Sequence, residues 1–133
     1  MKFSRKTDYG VMLLTALRVT FNTTGFIPLS SVTREYNLPF SFLEKLAEAL
    51  KGAGYLASKR GPEGGYRLIR DPKTVTLKEL IAVFEEPPMM KCLKSADPEK
   101  HCAFVAVCPT RKTWNLLNNK VMDMFEHVTL AEM

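Results

Sequence analysis

Gly54-Tyr55-Leu56-Ala57-Ser58-Lys59-Arg60-Gly61-Pro62-Glu63-Gly64-Gly65-Tyr66-Arg67-Leu68 places two short β-prone runs on either side of a dense cluster of turn residues. Tyr55 to Lys59 reads as one strand and Tyr66 to Ile69 as its return. Between them, Arg60-Gly61-Pro62-Glu63-Gly64-Gly65 is turn chemistry throughout. The result is a β-hairpin with a basic, glycine-rich tip, and glycines there let the backbone approach another surface closely.

Two short helices precede the hairpin. Ser30 to Tyr36 is long enough for two turns, and Asn37-Leu38-Pro39 breaks it. The next helix spans about Phe40 to Gly52, with Leu43, Leu46 and Leu50 as its inner stripe and Ser41 and Glu44 spaced as a capping box. Two short helices joined by a tight turn make a helix-turn-helix, whose second helix enters the major groove. A hairpin directly after it is a wing.

A further helix is expected over 7–21, capped by Thr7 or Asp8, with Val11, Leu14, Leu17, Arg18 and Phe21 at helical spacing. Beyond Asp71-Pro72, Thr76 and Glu79 form a second capping box that opens a helix through about Phe84, and Glu85-Glu86-Pro87-Pro88 ends it. Residues from Met89 to about Val107 show no periodicity and read as a loop closed by Cys108-Pro109. A long helix from about Thr110 to Leu130 puts Trp114, Leu117, Val121, Met124, Phe125 and Val128 on one side. That stripe packs on its own domain or, the sharper reading, on a two-fold partner helix. The fold class is therefore mainly α with a small β wing. A winged helix-turn-helix region over 1–72 is joined to a cysteine loop and dimerisation helix over 73–133, within one compact domain.

Composition supports a soluble globular chain. The 133 residues are enough for one core, with 46% hydrophobic and 25% charged residues. No apolar run approaches a membrane span. The basic start is interrupted by Asp8, and no cleavage-like ending follows, so a cytoplasmic location away from membranes is expected. The net charge of +5 lies wholly in the first half, where residues 1–72 hold eleven Lys/Arg against six Asp/Glu. Residues 73–133 hold eight of each. Such asymmetry marks either a polyanion-binding half or a solvated basic surface.

Cys92, Cys102 and Cys108 all fall in the neutral half, separated by nine and five residues. An odd count with no tight C-x₂₋₄-C knuckle fits neither a disulfide framework nor the usual structural zinc site. They are ordinary buried thiols or a ligand cluster. An enzyme would want a C-x-x-C pair, a Cys with a positioned His, a phosphate loop or paired carboxylates, and none is present.

The stretch Leu38-Pro39-Phe40-Ser41-Phe42-Leu43-Glu44-Lys45-Leu46, the hairpin quoted above, Thr7-Asp8-Tyr9-Gly10 and Val128-Thr129-Leu130 together resemble the IscR/NsrR (Rrf-two) superfamily of bacterial winged-helix transcription regulators. The R-G-P-x-G-G-Y-x-L wing after a helix-turn-helix is its most specific element, and the resemblance covers nearly the whole chain.

The resemblance implies a homodimer on pseudo-palindromic operator DNA. Pro39, Phe40, Ser41 and Glu44 would lie at the start of the recognition helix. Ser41 and Glu44 would either contact base edges or serve only as caps. Arg60 would enter a minor groove, or else pair with Glu63. Lys59, Gly61, Gly64, Gly65 and Tyr66 would complete the wing contact, and Arg5, Lys6, Lys59 and Arg67 would hold phosphates.

In the cluster-binding branches, three cysteines in this loop hold an iron–sulfur cluster that controls DNA binding. Cys92, Cys102 and Cys108 match in number and region, and thiolates are the ligands such clusters prefer. A fourth ligand is then needed. Asp8 matches the aspartate that reaches across the dimer in the nitric-oxide-sensing branch, but it is equally a helix cap. His101 and His127 are weaker candidates. The first cysteine gap is longer than in familiar members, and the histidine that follows the third cysteine in two-iron members is absent: Pro109-Thr110-Arg111 stands there. These departures favour [4Fe-4S] with Asp8 or an external fourth ligand, with [2Fe-2S] as the alternative. A cluster-free regulator sensing through thiols, zinc or a protein partner is the rival reading. A protein-interaction module built on a winged-helix scaffold is a more remote one.

Overall fold

The computed structural model describes residues 2–86, 89–93 and 96–133. Helix α1 runs Arg5–Leu17 and buries Thr7, Gly10, Leu13, Leu14 and Leu17. It both starts and stops earlier than its periodicity suggests, for tertiary reasons. At its start neither Thr7 nor Asp8 acts as the N-cap: Ser4 holds that position and makes no side-chain cap. The cap comes from elsewhere in the chain. Glu85 Oε1 accepts the Ser4 backbone N–H at 2.7 Å and the Thr7 hydroxyl at 2.5 Å. At its end the chain tightens into a 3₁₀ turn, Arg18–Thr20. The Thr20 hydroxyl, buried, donates to Leu17 O and accepts from Leu68 N–H at 2.9 Å, which stops the helix where the hairpin meets it.

Those hydrogen bonds hold the Glu85 carboxyl below the usual carboxylate range, with those from Ser4 and Thr7 as the largest causes. A lowered native pKa stabilises the fold above the unfolded-state value and loses that contribution as pH falls through the native value. Wild-type chain and Glu85→Gln should therefore differ in urea midpoint near neutral pH, and differ less at a pH well below the ordinary carboxylate range. Curves offset equally at both pH values would rule out the carboxylate as the cause.

Helices α2, Leu29–Tyr36, and α3, Phe40–Gly52, form the helix-turn-helix. Asn37 between them is left-handed (φ 53°) and ends α2, as the Asn-Leu-Pro break implies. Leu43, Leu46, Ala47 and Leu50 are the buried face of α3, the expected stripe with one small residue added. The Ser41–Glu44 capping box does not form. Helix α3 begins at Phe40 with Pro39 as its N-cap, so Ser41 already lies inside the first turn and makes no cap. The box at Thr76 does form: Glu79 N–H donates to Thr76 Oγ1 at 3.2 Å and Thr76 N–H to Glu79 Oε2 at 3.0 Å, opening α4, Leu77–Phe84.

Strands β1, Leu56–Lys59, and β2, Gly65–Leu68, pair antiparallel with Leu56 opposite Leu68 and Lys59 opposite Gly65. Residues 56, 58, 66 and 68 thus share one face, and 57, 59, 65 and 67 the other. Ile27 adds a short antiparallel bridge to Tyr66. The core gathers α1, α3, the hairpin and α4 around Leu13, Leu14, Leu17, Leu43, Leu50, Leu68 and Leu80.

Among the described residues the 89–107 segment forms two 3₁₀ turns, Lys91–Leu93 and Pro98–Lys100. The helix-ending Pro87 and Pro88 lie outside the described residues. Helix α5 runs Arg111–Glu126, shorter than the expected 110–130. The difference has a clear cause. The last residues turn back onto the chain preceding α4, where Leu77 N–H donates to Val128 O and Leu130 N–H to Val75 O, both at 2.8 Å. Leu130 is fully buried in the core, and Thr129–Glu132 forms a capping box that the sequence reading missed.

Candidate nucleic-acid interface and cysteine loop

The start of α3 and the hairpin tip share one face. A hollow of about 350 Å³ between them is lined by Ser30, Phe40 and Glu44 from the helix-turn-helix and by Lys59, Gly61, Gly64, Gly65 and Tyr66 from the wing. Phe40 is 49% exposed, a large aromatic left in solvent at the first turn of α3. Pro39, Ser41 and Glu44 are exposed beside it, as are Lys59, Arg60 and Gly61 across the hollow.

The tip glycines divide by role. Gly61 has φ +109° and open space around it. Gly64 is buried, and a Cβ there would stand 2.2 Å from Lys59 O. Gly65 has φ +147°, and a Cβ would stand 2.2 Å from Ile27 O. The fold itself requires Gly64 and Gly65, because the backbone of the turn and of residue 27 passes where a side chain would be.

Phe26, which the sequence reading passed over, organises the outer face of the wing. The Arg67 guanidinium lies 5.4 Å and the Lys59 ammonium 5.9 Å from its ring centroid. Arg67 is further tied to the Thr23 carbonyl, so it is partly committed within the chain. Glu48 on α3 was also missed; it accepts a hydrogen bond from the Tyr66 hydroxyl. Periodicity marks such a residue only as solvent-facing, since its partner lies across the fold. Arg5 is exposed but does not line this hollow. It lines a groove of about 430 Å³ between α1 and α4 with Phe3, Asp8, Val11, Leu77 and Ile81.

The three cysteines are free thiols, each half-buried. Cys108 lies in a hollow of about 290 Å³ with Leu93, Val105, Arg111, Lys112 and Asn115. The Thr110 hydroxyl, 3.5 Å from Sγ, lowers its pKa, as do the backbone N–H groups of Thr110 and Arg111 and the Arg111 charge. In kind, three soft thiols suit an iron–sulfur cluster. Among the described residues, however, no three Cys, His, Asp or Glu side chains stand close enough to hold one metal ion. Asp8 is exposed in the α1–α4 groove, whose lining shares no residue with the hollow that holds Cys108. His127 follows the last residue of α5, exposed, with Nδ1 2.8 Å from Asp123 O; that contact raises its pKa.

The model of a family described as iron-dependent transcriptional regulators, Rrf2, matches residues 3–133. The chain belongs to the Rrf2 family. The HTH-type transcriptional regulator IscR of Vibrio campbellii is 33% identical over 136 residues, covering all of this chain and 77% of that one. Among solved structures, IscR of T. potens superposes with a TM-score of 0.75 at 27% identity, covering 100% of this chain and 85% of that one. CymR, the global cysteine regulator of B. subtilis, gives a TM-score of 0.75 at 28% identity, covering 99% and 95%. As an Rrf2 protein this chain is a DNA-binding transcriptional regulator and not an enzyme. The mainly helical fold with a two-stranded wing is that of its Rrf2 relatives. Among the described residues, no helix is long and apolar enough to cross a membrane.

Proposed function

We propose that this Rrf2 regulator works in the cytoplasm as a homodimer on pseudo-palindromic operator DNA, under the control of an iron–sulfur cluster. The observation that carries the DNA-binding part is the single exposed face shared by the start of α3 and the wing. A helix and a basic tip side by side suit simultaneous major- and minor-groove contact. Pro39, Phe40, Ser41 and Glu44 present the helix side; with no cap to make, Ser41 and Glu44 are free for base edges. Arg60, flanked by Lys59 and Gly61, presents the minor-groove side. Gly64, Gly65 and Tyr66 hold the tip in shape. Arg5, in the α1–α4 groove, is left for a phosphate.

Dimerisation is supported by α5, which has no fully buried residue while Trp114, Leu116, Leu117 and Met124 are 38–67% exposed. So large an apolar surface on one helix calls for a partner.

Cys92, Cys102 and Cys108 would hold the cluster, with Asp8 contributed across the dimer as fourth ligand. Bound iron–sulfur chemistry would supply sensitivity to redox state, nitric oxide or iron supply, as [4Fe-4S] or [2Fe-2S]. The chain's own part is transmission. The cysteine segment begins just after Glu85, which is hydrogen-bonded to the start of α1, and runs directly into α5. Differential stabilisation of the two arrangements by ~1–3 kcal/mol would change operator affinity about 5- to 150-fold. Apo and loaded chains binding operator equally would end this reading.

The second reading is a cluster-free regulator whose cysteines act as thiols, bind zinc or answer to a protein partner. It is favoured by the lowered pKa of Cys108 and the absence of a gathered ligand set among the described residues. Anaerobic purification with an absorbance spectrum and iron and sulfide assays decides between the two. Broad absorbance near ~400 nm with matching iron and sulfide supports the cluster; a colourless, iron-free dimer supports the thiol reading.

Arg60→Ala should weaken operator binding about ten- to a hundredfold without lowering the thermal midpoint. Unchanged affinity would remove the wing from the interface.

A further inference from the structure

We infer that the hydrogen bond between Tyr66 of the wing and Glu48 of α3 sets the angle at which wing and recognition helix meet DNA, making both positioning residues for operator recognition. This rests on the proposed use of α3 and the wing as the DNA-reading pair, and adds residues that hold the pair in register.

Tyr66 is where three DNA-facing elements are joined. In the hairpin it lies opposite Ser58. Toward the helix-turn-helix it makes both bonds of a bridge to Ile27: Tyr66 N–H donates to Ile27 O at 2.8 Å, and Ile27 N–H to Tyr66 O at 2.9 Å. Residue 27 leads through Pro28 into α2, so this bridge fixes the root of the helix-turn-helix against the wing. Its side chain makes the third connection, with the hydroxyl donating to Glu48 Oε1 at 2.5 Å.

Glu48 lies two turns beyond Phe40 on α3 and, unlike the buried leucines, belongs to its exposed side. The bond is charge-assisted but solvent-exposed, so it orients the strand while adding little to overall stability. Burial, and then Glu48 itself, push the Tyr66 hydroxyl up to about 12, so it stays a donor over the working pH range.

The geometry makes the side-chain bond a setting device. A two-stranded ribbon is weakly held by itself, and the outer end of this one, from Lys59 to Gly65, carries Arg60. The Ile27 bridge holds the base of β2. The hydroxyl–carboxylate bond ties the same strand to the helix that would lie in the adjacent groove. Losing it leaves the core unchanged but frees the tip to tilt, and a small misplacement separates contacts that must be made together.

The test uses the full-length dimer and the duplex it enriches from a random library. Tyr66→Phe keeps the ring and removes only the hydroxyl. It should weaken binding to the selected duplex ~tenfold, with little change on an unrelated duplex or in thermal midpoint. Glu48→Gln keeps an acceptor and should retain most affinity; Glu48→Ala should match Tyr66→Phe. Arg60→Ala should cost much less in the Tyr66→Phe background than alone, because the tip is already misplaced. A merely structural Tyr66 would give additive costs. If Arg60→Ala weakens binding while Tyr66→Phe is silent or strictly additive with it, the positioning role is overturned and the winged-helix interface stands. If Arg60→Ala is silent in the wild-type background, the wing contact itself fails and the positioning role falls with it.

Discussion

Gly65→Ala should destabilise the chain by about 3 kcal/mol or more and abolish selective DNA binding. The added Cβ would stand 2.2 Å from Ile27 O, 2.3 Å from its carbonyl carbon and 2.6 Å from Pro28 N. All three are backbone atoms, so no rotamer change relieves the overlap. The residue also sits at φ +147°, a region open to little besides glycine. Backbone strain of ~1–3 kcal/mol and overpacking of similar size act together. What yields is the Ile27–Tyr66 bridge, and with it the seat of the wing. Gly61→Ala is the control: it shares a positive φ but meets open space, so only the conformational cost applies. Denaturant midpoints for the two variants measure the difference. A Gly65→Ala chain with the wild-type midpoint would mean that the wing is not seated on residue 27.

The second large effect concerns the cysteines. If the proposed cluster and dimer form, replacing Cys92, Cys102 or Cys108 singly by Ala should remove bound iron, sulfide and visible absorbance while leaving a folded dimer. All three are half-buried, and none is among the described residues of the main core, so the cost to folding is small. The apolar surface of α5 is untouched by these changes. Operator affinity should shift in the same direction in all three variants, by the fold-change that removing the cluster produces in the wild type. Iron retained in every single variant would refute the ligand set. Loss in only one would make that cysteine a ligand and refute the other two as members of the set.

The DNA-reading architecture was legible because its signals are local. Alternating and helical periodicity, Asn37 before Leu38-Pro39, the Thr76–Glu79 box and the turn-rich wing each act within a few residues. Errors appeared where the actual element boundaries or a distant partner overrode a local signal. Ser41 and Glu44 have capping-box spacing, yet Phe40 is already helical and the box is lost. Helix α5 has the pattern to continue toward Leu130, yet the backbone of 128–131 bonds to residues 72–77 and ends it at Glu126. The start of α1 looked like a task for Thr7 or Asp8, and Glu85, far along the chain, performs it.

The candidate site divides along the same line. By itself the sequence determined the class of molecule: the order of elements, the basic wing and the three cysteines, because residue type and short spacing carry that information. Only the tertiary structure decided which side chains meet. It brought Phe26 against Lys59 and Arg67, tied Tyr66 to Glu48, and assigned Gly64 and Gly65 to backbone crowding rather than open approach. It also set Asp8 in a groove that shares no lining residue with the Cys108 hollow. These pairings join residues from different elements. Their energies depend on distances that exist only once the core has fixed those elements, and no pattern along the chain encodes them.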